Sequence, residues 1–184
     1  MSKIKDVQPI RSIEKIEDMK WSLKKYCGER DYILFLIGIN SALRISDLLR
    51  LKTKQLKGKR RFTILEGKTV KARTVILSDA VYEKVQKYIC NNKSDWMFPS
   101  RKKDRPITPT QAYRQLIKAA EMVDIYDGIG THTMRKTFGY WYYKQNKDIA
   151  KLQMILNHSH PQVTLKYIGI TSEEIEESLS TFSL

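Results

Sequence analysis

The segment that most limits the fold of this chain is an apolar run between positions 31 and 43. It holds large apolar side chains at nearly every position of its centre, namely Ile33, Leu34, Phe35, Leu36, Ile37 and Ile39. A helix over this segment is apolar on almost every side, and such a helix is stable only inside a core. We therefore predict a central buried helix over Asp31–Leu43, around which the remaining chain packs.

Hydrophobic periodicity on either side of this helix predicts a mainly α-helical fold with a small antiparallel β-sheet. Further helices are expected over residues 12–27, 45–51, 79–90, 108–123, 131–144, 148–156 and 163–168, with a tail helix from Thr171. Two β-rich runs, Arg61–Glu66 and Ala72–Leu77, flank a turn at Gly67–Lys71, and a third strand is expected near Lys54–Lys57. Strands and helices do not alternate, so a parallel sheet is not expected.

The chain of 184 residues fits one domain over positions 1–184, because domains commonly have about 100–200 residues. No apolar run reaches the roughly 18 residues of a membrane-spanning helix, and no signal-peptide pattern opens the chain. Cys27 and Cys90 are too few for a disulfide scaffold or a cysteine metal site, which favours free thiols in a reducing compartment. We expect a soluble, cytoplasmic protein with no membrane partner.

The net charge of +14, from 34 Lys and Arg against 20 Asp and Glu, favours a polyanionic partner such as nucleic acid. This charge is uneven along the chain. Arg50–Arg73 contains ten basic residues and one acid, Glu66, whereas Thr171–Leu184 contains four glutamates and no basic residue. The body of the chain is therefore more basic than the total suggests, and the tail has the opposite sign.

Signatures of several enzyme classes are missing from the sequence, including HExxH, paired CxxC, GxSxG and GxGxxG. Gly67-Lys68-Thr69 is similar to the end of a phosphate-binding P-loop. Phe62, however, occupies the position where that motif needs its first glycine. A nucleotide site at this turn is therefore not expected.

Side chains able to handle a phosphate group stand in five short segments. In chain order they are Ala-Leu-Arg-Ile-Ser-Asp-Leu with Arg44, Gly-Lys-Thr with Lys68, His-Thr-Met-Arg with His132 and Arg135, Leu-Asn-His-Ser with His158, and a closing Tyr167. In order and spacing they resemble the catalytic domain of the tyrosine recombinase, or phage integrase, family over about residues 8–182. The resemblance implies that family's fold, a site-specific DNA recombinase activity, and double-stranded DNA as the partner.

The resemblance implies that Tyr167 is a nucleophile that becomes joined to a DNA 3′-phosphate. Because the energy of the broken bond is kept in this phosphotyrosine, no ATP is implied, and neither is a metal or any small-molecule cofactor. Arg44 and Arg135 are expected to bind the non-bridging phosphate oxygens, which suit the planar guanidinium group better than an ammonium group.

The remaining roles implied by the resemblance concern proton transfer and hydrogen bonding. Lys68 is expected to protonate the departing 5′-oxygen, with Lys71 on the same turn as the competing candidate. His132 is expected to act as a general acid or base beside the nucleophile, and His158 to hydrogen-bond a phosphate oxygen. His160 does not fit the spacing and is expected at the surface.

The chain departs from the family pattern at four points. Asn157 stands where a glycine usually precedes the second histidine, and asparagine tolerates the left-handed conformation better than most residues. Lys136 replaces a frequent histidine, and Ala42 replaces a frequent glycine. The chain also starts almost at the catalytic domain, as in a short member without the N-terminal DNA-clamping domain. That departure affects the expected DNA affinity and specificity rather than the chemistry.

Two further sets of residues are expected to bind partners. Contacts with the DNA backbone are expected from Lys52, Lys54, Lys59, Arg60, Lys71 and Arg73. In the tail, residues 171–184, an apolar stripe of Ile175, Leu179 and Phe182 lies on an acidic helix. We expect the tail to dock on a neighbouring subunit, with monomers in solution and a tetramer on DNA; the alternative is that it packs on its own core.

Two other functions could use the same scaffold. A non-catalytic DNA-binding protein would have no need of Tyr167, and all the catalytic positions are filled here. An enzyme similar to a type IB topoisomerase would share the chemistry without bringing two DNA sites together. The Leu-Asn-His-Ser segment, the spacing to Tyr167 and the detached tail favour the recombinase.

Overall fold

The computed structural model describes residues 7–68, 70–102, 104–126, 128–170, 180 and 183. The helices within these ranges are α1 (Ile13–Ser22), α2 (Glu29–Ser41), α3 (Ile45–Leu49), α4 (Thr53–Leu56), α5 (Asp79–Asn91), α6 (Pro109–Glu121), α7 (Thr133–Asn146), α8 (Ile149–Leu156) and α9 (Pro161–Ile168). A π-helical turn, Leu23–Cys27, extends α1, and a hairpin is formed by β1 (Arg61–Leu65) and β2 (Ala72–Ile76). The expected fold class, mainly helical with a small antiparallel sheet, is confirmed.

The apolar run folds as α2 and is buried, as the sequence predicts. Phe35 and Ile37 have no exposed surface, and α2 packs against α1, α5, α6 and α7. Gly28, with a φ of 106°, precedes the helix, and Ala42, with a φ of 54°, follows it. A left-handed residue after a helix reverses the chain direction. The reversal brings Arg44 to the C-terminal end of the central helix.

The hairpin is half-buried, with its inner face on the core. β1 and β2 are antiparallel, and Phe62 lies opposite Val75 while Ile64 lies opposite Arg73. Phe62, Ile64 and Val75 are buried, and the alternate residues of both strands are exposed. This alternation is the expected result of the two-residue period of a strand.

The third strand expected near Lys54–Lys57 is wrong, because α4 occupies this position. The Gln55 side chain accepts a hydrogen bond from the Lys52 backbone N–H at 2.7 Å, which caps a helical turn. The same turn buries Leu56 completely. The local cap and the burial of one side chain therefore favour a helical turn over the expected strand.

The helix starts show how well local signals predict structure. Thr108 and Gln111 form the expected reciprocal cap, with the Thr108 hydroxyl accepting from the Gln111 N–H at 3.2 Å and the Gln111 side chain accepting from the Thr108 N–H at 2.9 Å. Helix α7 begins at Thr133, so His132 immediately precedes the helix instead of lying within it. Helix α9 begins at Pro161, two residues before its expected start, because the first helical position needs no N–H donor.

Two groups of buried side chains hold these elements together. The main core surrounds α2 and includes Phe35, Phe62 and Phe98. A second group, here called the satellite core, joins α7, α8 and α9 to the end of α2. Its buried members are Ala42, Tyr140, Leu152, Leu156 and Ile168.

The expected tail helix and its apolar stripe lie outside the described residues. Cys27 and Cys90 are free thiols, the first half-buried and the second exposed. Among the helices of the described ranges, none is both long enough and apolar enough to cross a membrane.

Candidate active site

Arg44 lies at the corner between α2 and α3, where the central helix has just ended. Its Nη1 donates a hydrogen bond to Glu66 Oε2 at 3.0 Å. The Glu66 side chain is 3% exposed and the Arg44 side chain 18%. The ion pair is therefore sheltered, while the arginine keeps some surface that a phosphate oxygen can approach.

Arg135 lies in the first turn of α7 and is 3% exposed. Its Nη1 donates to the backbone carbonyl of Ala42, and its Nη2 donates to that of Leu156 at 2.6 Å. These carbonyls lie at the C-terminal ends of α2 and α8, where the helix dipole favours a cation. Burial lowers the pKa of Arg135 to about 10, so the group stays cationic at neutral pH.

Tyr167 lies in the last turn of α9, and its hydroxyl is 3.5 Å from His132 Nδ1. This distance is at the outer limit of a hydrogen bond. Burial raises the pKa of Tyr167 although Arg135 and Arg44 oppose the shift. The phenol is therefore neutral at pH 7 and would need a base to act as a nucleophile. Burial, followed by the charges of Arg135 and Lys136, lowers the pKa of His132. The imidazole is therefore neutral at pH 7 and can accept a proton.

His158 follows Asn157, which ends α8 with a φ of 50° and a ψ of 51°. As the sequence indicates, asparagine tolerates this left-handed conformation better than most residues. Gln153 holds the His158 backbone on both sides: its carbonyl accepts from the His158 N–H and its side-chain amide donates to the His158 carbonyl, each at 3.1 Å. The ring centroid of His158 lies 4.9 Å from that of Tyr167, and His158 Nδ1 lies 3.1 Å from Thr164 Oγ1. Burial lowers the pKa of His158.

Lys68 is exposed in the turn between β1 and β2. Its charge is one of those that lower the pKa of His132, after burial and the charges of Arg135, Lys136 and Arg44. Lys71, the competing candidate, is exposed on the same turn. The geometry therefore leaves the choice between the two lysines open. His160 is exposed, as the sequence predicts.

Arg73 was expected to contact the DNA backbone, but its side chain points into the protein. It faces Ile64 across the hairpin, on the buried side of the sheet. Its Nη1 donates to Glu66 Oε1 at 3.2 Å, and its Nη2 donates to the carbonyl of Ser41 at 2.7 Å. Burial lowers the pKa of Arg73. Arg73 is therefore part of the site's interior, and a backbone contact is no longer expected from it.

Sequence reasoning missed Glu66 as a site residue. The residue directly follows β1, and its two carboxylate oxygens bind Arg44 and Arg73. One signal could have identified it, since Glu66 is the single acid among the ten basic residues of Arg50–Arg73. An acid in so basic a segment is explained by buried pairing with arginines, which neighbouring residues in the sequence do not reveal.

The other residues expected to contact the DNA backbone differ in exposure and in whether a neighbouring side chain already binds them. Three of them are exposed lysines, namely Lys54, Lys59 and Lys71. Arg60 is exposed but forms an ion pair with Asp79 at 2.6 Å. The Lys52 ammonium lies 3.2 Å from the ring centroid of Trp96, so a cation–π contact already engages it.

Comparison with known proteins identifies related sequences. Residues 13–174 match the phage integrase family. The chain is 44% identical to the probable integrase/recombinase YoeC of Bacillus subtilis (strain 168) over 177 residues, which cover 96% of this chain and 97% of that protein. It is 26% identical over 174 residues to the tyrosine recombinase XerD of Agrobacterium fabrum, covering 83% of this chain and 52% of that protein. The chain thus spans nearly all of one relative and about half of the other.

Solved structures share the fold. XerA recombinase is similar with a TM-score of 0.78 and 17% identity, over 97% of this chain and 67% of that chain. The post-cleavage complex of XerH site-specific recombinase with a palindromic difH substrate is similar with a TM-score of 0.74 and 22% identity, over 97% of this chain and 54% of that chain. Sequence match, fold and motif order agree, and the chain belongs to the phage integrase family, the tyrosine recombinases.

Proposed function

We propose that this tyrosine recombinase cuts and rejoins duplex DNA at specific sites through a covalent 3′-phosphotyrosine intermediate. The observation that carries the proposal is the approach of the Tyr167 hydroxyl to His132 beside the buried cation of Arg135. The DNA substrate is supported by the XerH structure, which is a complex with a difH substrate.

The cleavage step transfers one phosphodiester bond from DNA to the protein. The Tyr167 oxygen attacks the phosphorus, and the phenolic proton passes to His132. As the new bond between phosphorus and the tyrosine oxygen forms, the bond between phosphorus and the 5′-oxygen breaks. Lys68 gives a proton to this oxygen, which leaves as a hydroxyl group. Rejoining reverses these steps with a 5′-hydroxyl group as the attacking group.

Arg44 and Arg135 neutralise the non-bridging oxygens during this step. Both side chains are held before DNA binds, Arg135 by two backbone carbonyls and Arg44 by Glu66. Charge that is already in place needs no reorganisation during the reaction, and one such donor contributes about 3–4 kcal/mol in measured enzymes. His158 adds a hydrogen bond to the same oxygens.

Covalent trapping on nicked duplexes tests this proposal. A nick near the cleaved phosphate lets the short 5′-hydroxyl fragment diffuse away, so the adduct accumulates. Because the target site is undefined, the substrate is a pool with randomised sequence around the nick. We expect the wild-type chain to form a denaturant-stable adduct and Tyr167→Phe to form none. The exposed Tyr113 provides the matched control, and Tyr113→Phe should react like the wild type.

The same assay separates the proposal from its main alternative. A chain that retains duplexes on a filter but never forms an adduct would be a DNA-binding protein without catalysis. An adduct with Tyr167→Phe would mean that another residue is the nucleophile.

The exposed lysines near the hairpin are proposed to contact the DNA backbone. Each neutralised phosphate changes the slope of log affinity against log salt by about 0.9. Joint replacement of Lys54, Lys59 and Lys71 by glutamine should therefore make the slope shallower by as much as about 2.7. Glutamines at the exposed control positions Lys15, Lys84 and Lys87 should leave the slope unchanged; equal effects of the two triple variants would contradict the assignment.

We also propose that the tail of residues 171–184 docks on a neighbouring subunit and supports a tetramer on paired DNA sites. The support is its apolar stripe and its acidic charge, opposite to the basic body of the chain. Deletion of residues 172–184 should weaken the pairing of two DNA sites, measured by gel shift, and spare cleavage at a single site. Loss of both activities would instead favour a tail that packs on its own core.

A further inference from the structure

The buried carboxylate of Glu66 bridges two arginines of the site. Its Oε2 accepts from Arg44 Nη1 at 3.0 Å, and its Oε1 accepts from Arg73 Nη1 at 3.2 Å. The Glu66 side chain is 3% exposed, against 18% for Arg44 and 14% for Arg73. Removing one partner of such a buried pair leaves an uncompensated charge, so the three side chains hold one another in place.

This bridge extends to the second phosphate-binding arginine. Arg73 Nη1 also donates to the Ala42 carbonyl at 3.1 Å, and the same carbonyl accepts from Arg135. Glu66 thus connects the hairpin with the backbone that fixes Arg135 and, directly, with Arg44. The hydrogen bonds join residues from three separate parts of the chain.

We propose that Glu66 is a positioning residue for DNA cleavage, which orients the Arg44 guanidinium toward the scissile phosphate. The inference rests on the proposed function, in which Arg44 binds a non-bridging oxygen. A guanidinium is a rigid planar fork, so a bond at one nitrogen fixes the direction of the others. Glu66 uses Nη1 of Arg44, and Nε and Nη2 remain for the phosphate.

Glutamine is the sharpest substitution at position 66. A carboxylate offers acceptors on both oxygens, whereas an amide offers one acceptor and one N–H donor. In Glu66→Gln, Arg44 and Arg73 must therefore compete for a single acceptor, although the side chain keeps its shape. Glu66→Asp keeps the charge and both acceptors but is one methylene shorter.

The test is single-turnover cleavage of the duplex recovered by covalent trapping, with duplex binding measured separately. We expect Glu66→Gln to cleave about 10- to 100-fold more slowly without weaker binding, because the loss falls on charge stabilisation. Glu66→Asp should have an intermediate rate. The control is Glu17→Gln, which makes the same change in an exposed ion pair with Lys20 and should react like the wild type.

A modified substrate assigns the defect to Arg44 rather than to Lys68. With sulfur in place of the bridging 5′-oxygen, the leaving group needs no proton, so the substrate bypasses a missing general acid. It should restore cleavage by Lys68→Ala and leave Glu66→Gln slow. Full restoration of Glu66→Gln, or a wild-type rate on the ordinary substrate, would overturn the proposal.

The cleavage rate of the wild type and the thermal unfolding of each variant separate failure of this proposal from failure of the proposed function and from misfolding. Absence of cleavage by the wild-type chain would refute the proposed function, whereas cleavage by the wild type together with a wild-type rate in Glu66→Gln would refute only the role of Glu66. Thermal unfolding is recorded for each variant. If Glu66→Gln does not fold, the rate and sulfur-substrate comparison of Glu66→Asp decides the proposal by the same criteria.

Discussion

The two halves of the active site are held in different ways. The arginine half, formed by Arg44, Glu66, Arg73 and Arg135, is tied by ionic and carbonyl hydrogen bonds to the ends of α2 and α8. The tyrosine half is α9 with the preceding loop. The side chains of Tyr167 and His158 are held there by ring contacts and single side-chain bonds, although Gln153 holds the His158 backbone at two points. Helix α9 has eight residues and rests on the satellite core.

This difference matches the two tasks that the proposed reaction gives to the site. Charges that stabilise a transition state are most effective when they do not move, because reorganising them costs free energy during the reaction. In the proposed reaction the nucleophile forms and breaks a bond to DNA, so it must instead shift with the phosphorus. A short helix on a small core can be displaced at low cost, since local opening depends on how much apolar contact is lost. The comparison predicts rigidity in the arginine half and compliance in the tyrosine half.

The largest effect is expected when the arginine half is broken by Arg135→Lys. Lysine keeps the charge but cannot reach two carbonyls in a fork. The Ala42 carbonyl still accepts from Arg73, whereas the buried bond to the Leu156 carbonyl is lost when the ammonium stays at Ala42. We expect cleavage to fall at least about a hundredfold, and the free energy of unfolding to fall by about 1–3 kcal/mol. Adduct formation and urea unfolding measure the two quantities.

The matched control for this substitution is Arg11→Lys. Arg11 is exposed and donates to the Gly169 carbonyl at 2.6 Å, so it makes the same type of bond in water. Its replacement should change neither quantity measurably. If Arg135→Lys behaved like Arg11→Lys, the arginine half would not need the fixed geometry that we ascribe to it.

The next largest effect is expected from replacing glycine by alanine at two places where helices cross. A Cβ added at Gly38, where α2 crosses α7, would lie 2.5 Å from the Met134 Sδ and 3.0 Å from the Met134 Cβ. One added at Gly139, where α7 meets α9, would lie 2.7 Å from Ile168 Cγ2. We expect Gly38→Ala to lower the free energy of unfolding by about 1–3 kcal/mol. Gly139→Ala should cost less, because α9 can shift. Urea unfolding of both variants tests this, and a larger cost at Gly139 would contradict the compliance of the tyrosine half.

A smaller effect is expected in the pH dependence of cleavage. His132 must be neutral to accept the phenolic proton, and its pKa is lowered below its ordinary value of 6.5. The rate should therefore rise with pH through a midpoint below 6.5 and then remain level around neutral pH. Lys136→Met removes one of the charges that lower this pKa, so the midpoint should move to higher pH. Lys144→Met, on the same helix, should leave it unchanged; a downward shift in Lys136→Met would exclude His132 as the base.

The smallest effect is expected at the end of α8. Asn157 has a left-handed backbone, which glycine adopts without cost, so Asn157→Gly should change the free energy of unfolding by less than about 0.5 kcal/mol. Asn157→Val should lower it by about 1–2 kcal/mol because a β-branched residue is strained there. Urea unfolding distinguishes the two. Equal stability of the glycine and valine variants would show that the loop before His158 adjusts its conformation freely.

Local signals predicted much of this protein. The buried character of α2, the reciprocal cap of Thr108 and Gln111 and the left-handed Asn157 each depend on residues close together in the chain. The order of the motif segments led to the family, and residues 13–174 match it. The expectation failed at the Lys54–Lys57 segment: a third strand was expected there, but a cap from Gln55 and the burial of Leu56 make it helical.

The amino-acid sequence alone was enough for the fold class, the family and the set of residues to be tested as catalytic. The arrangement of charge around those residues came only from the folded chain. Glu66 meets Arg44 across 22 positions, and Arg135 meets Ala42 across 93. Burial removes water from these groups and makes each depend on a partner brought in by another element. For that reason Arg73, which looks like a DNA contact in a basic stretch, is an interior support of the site.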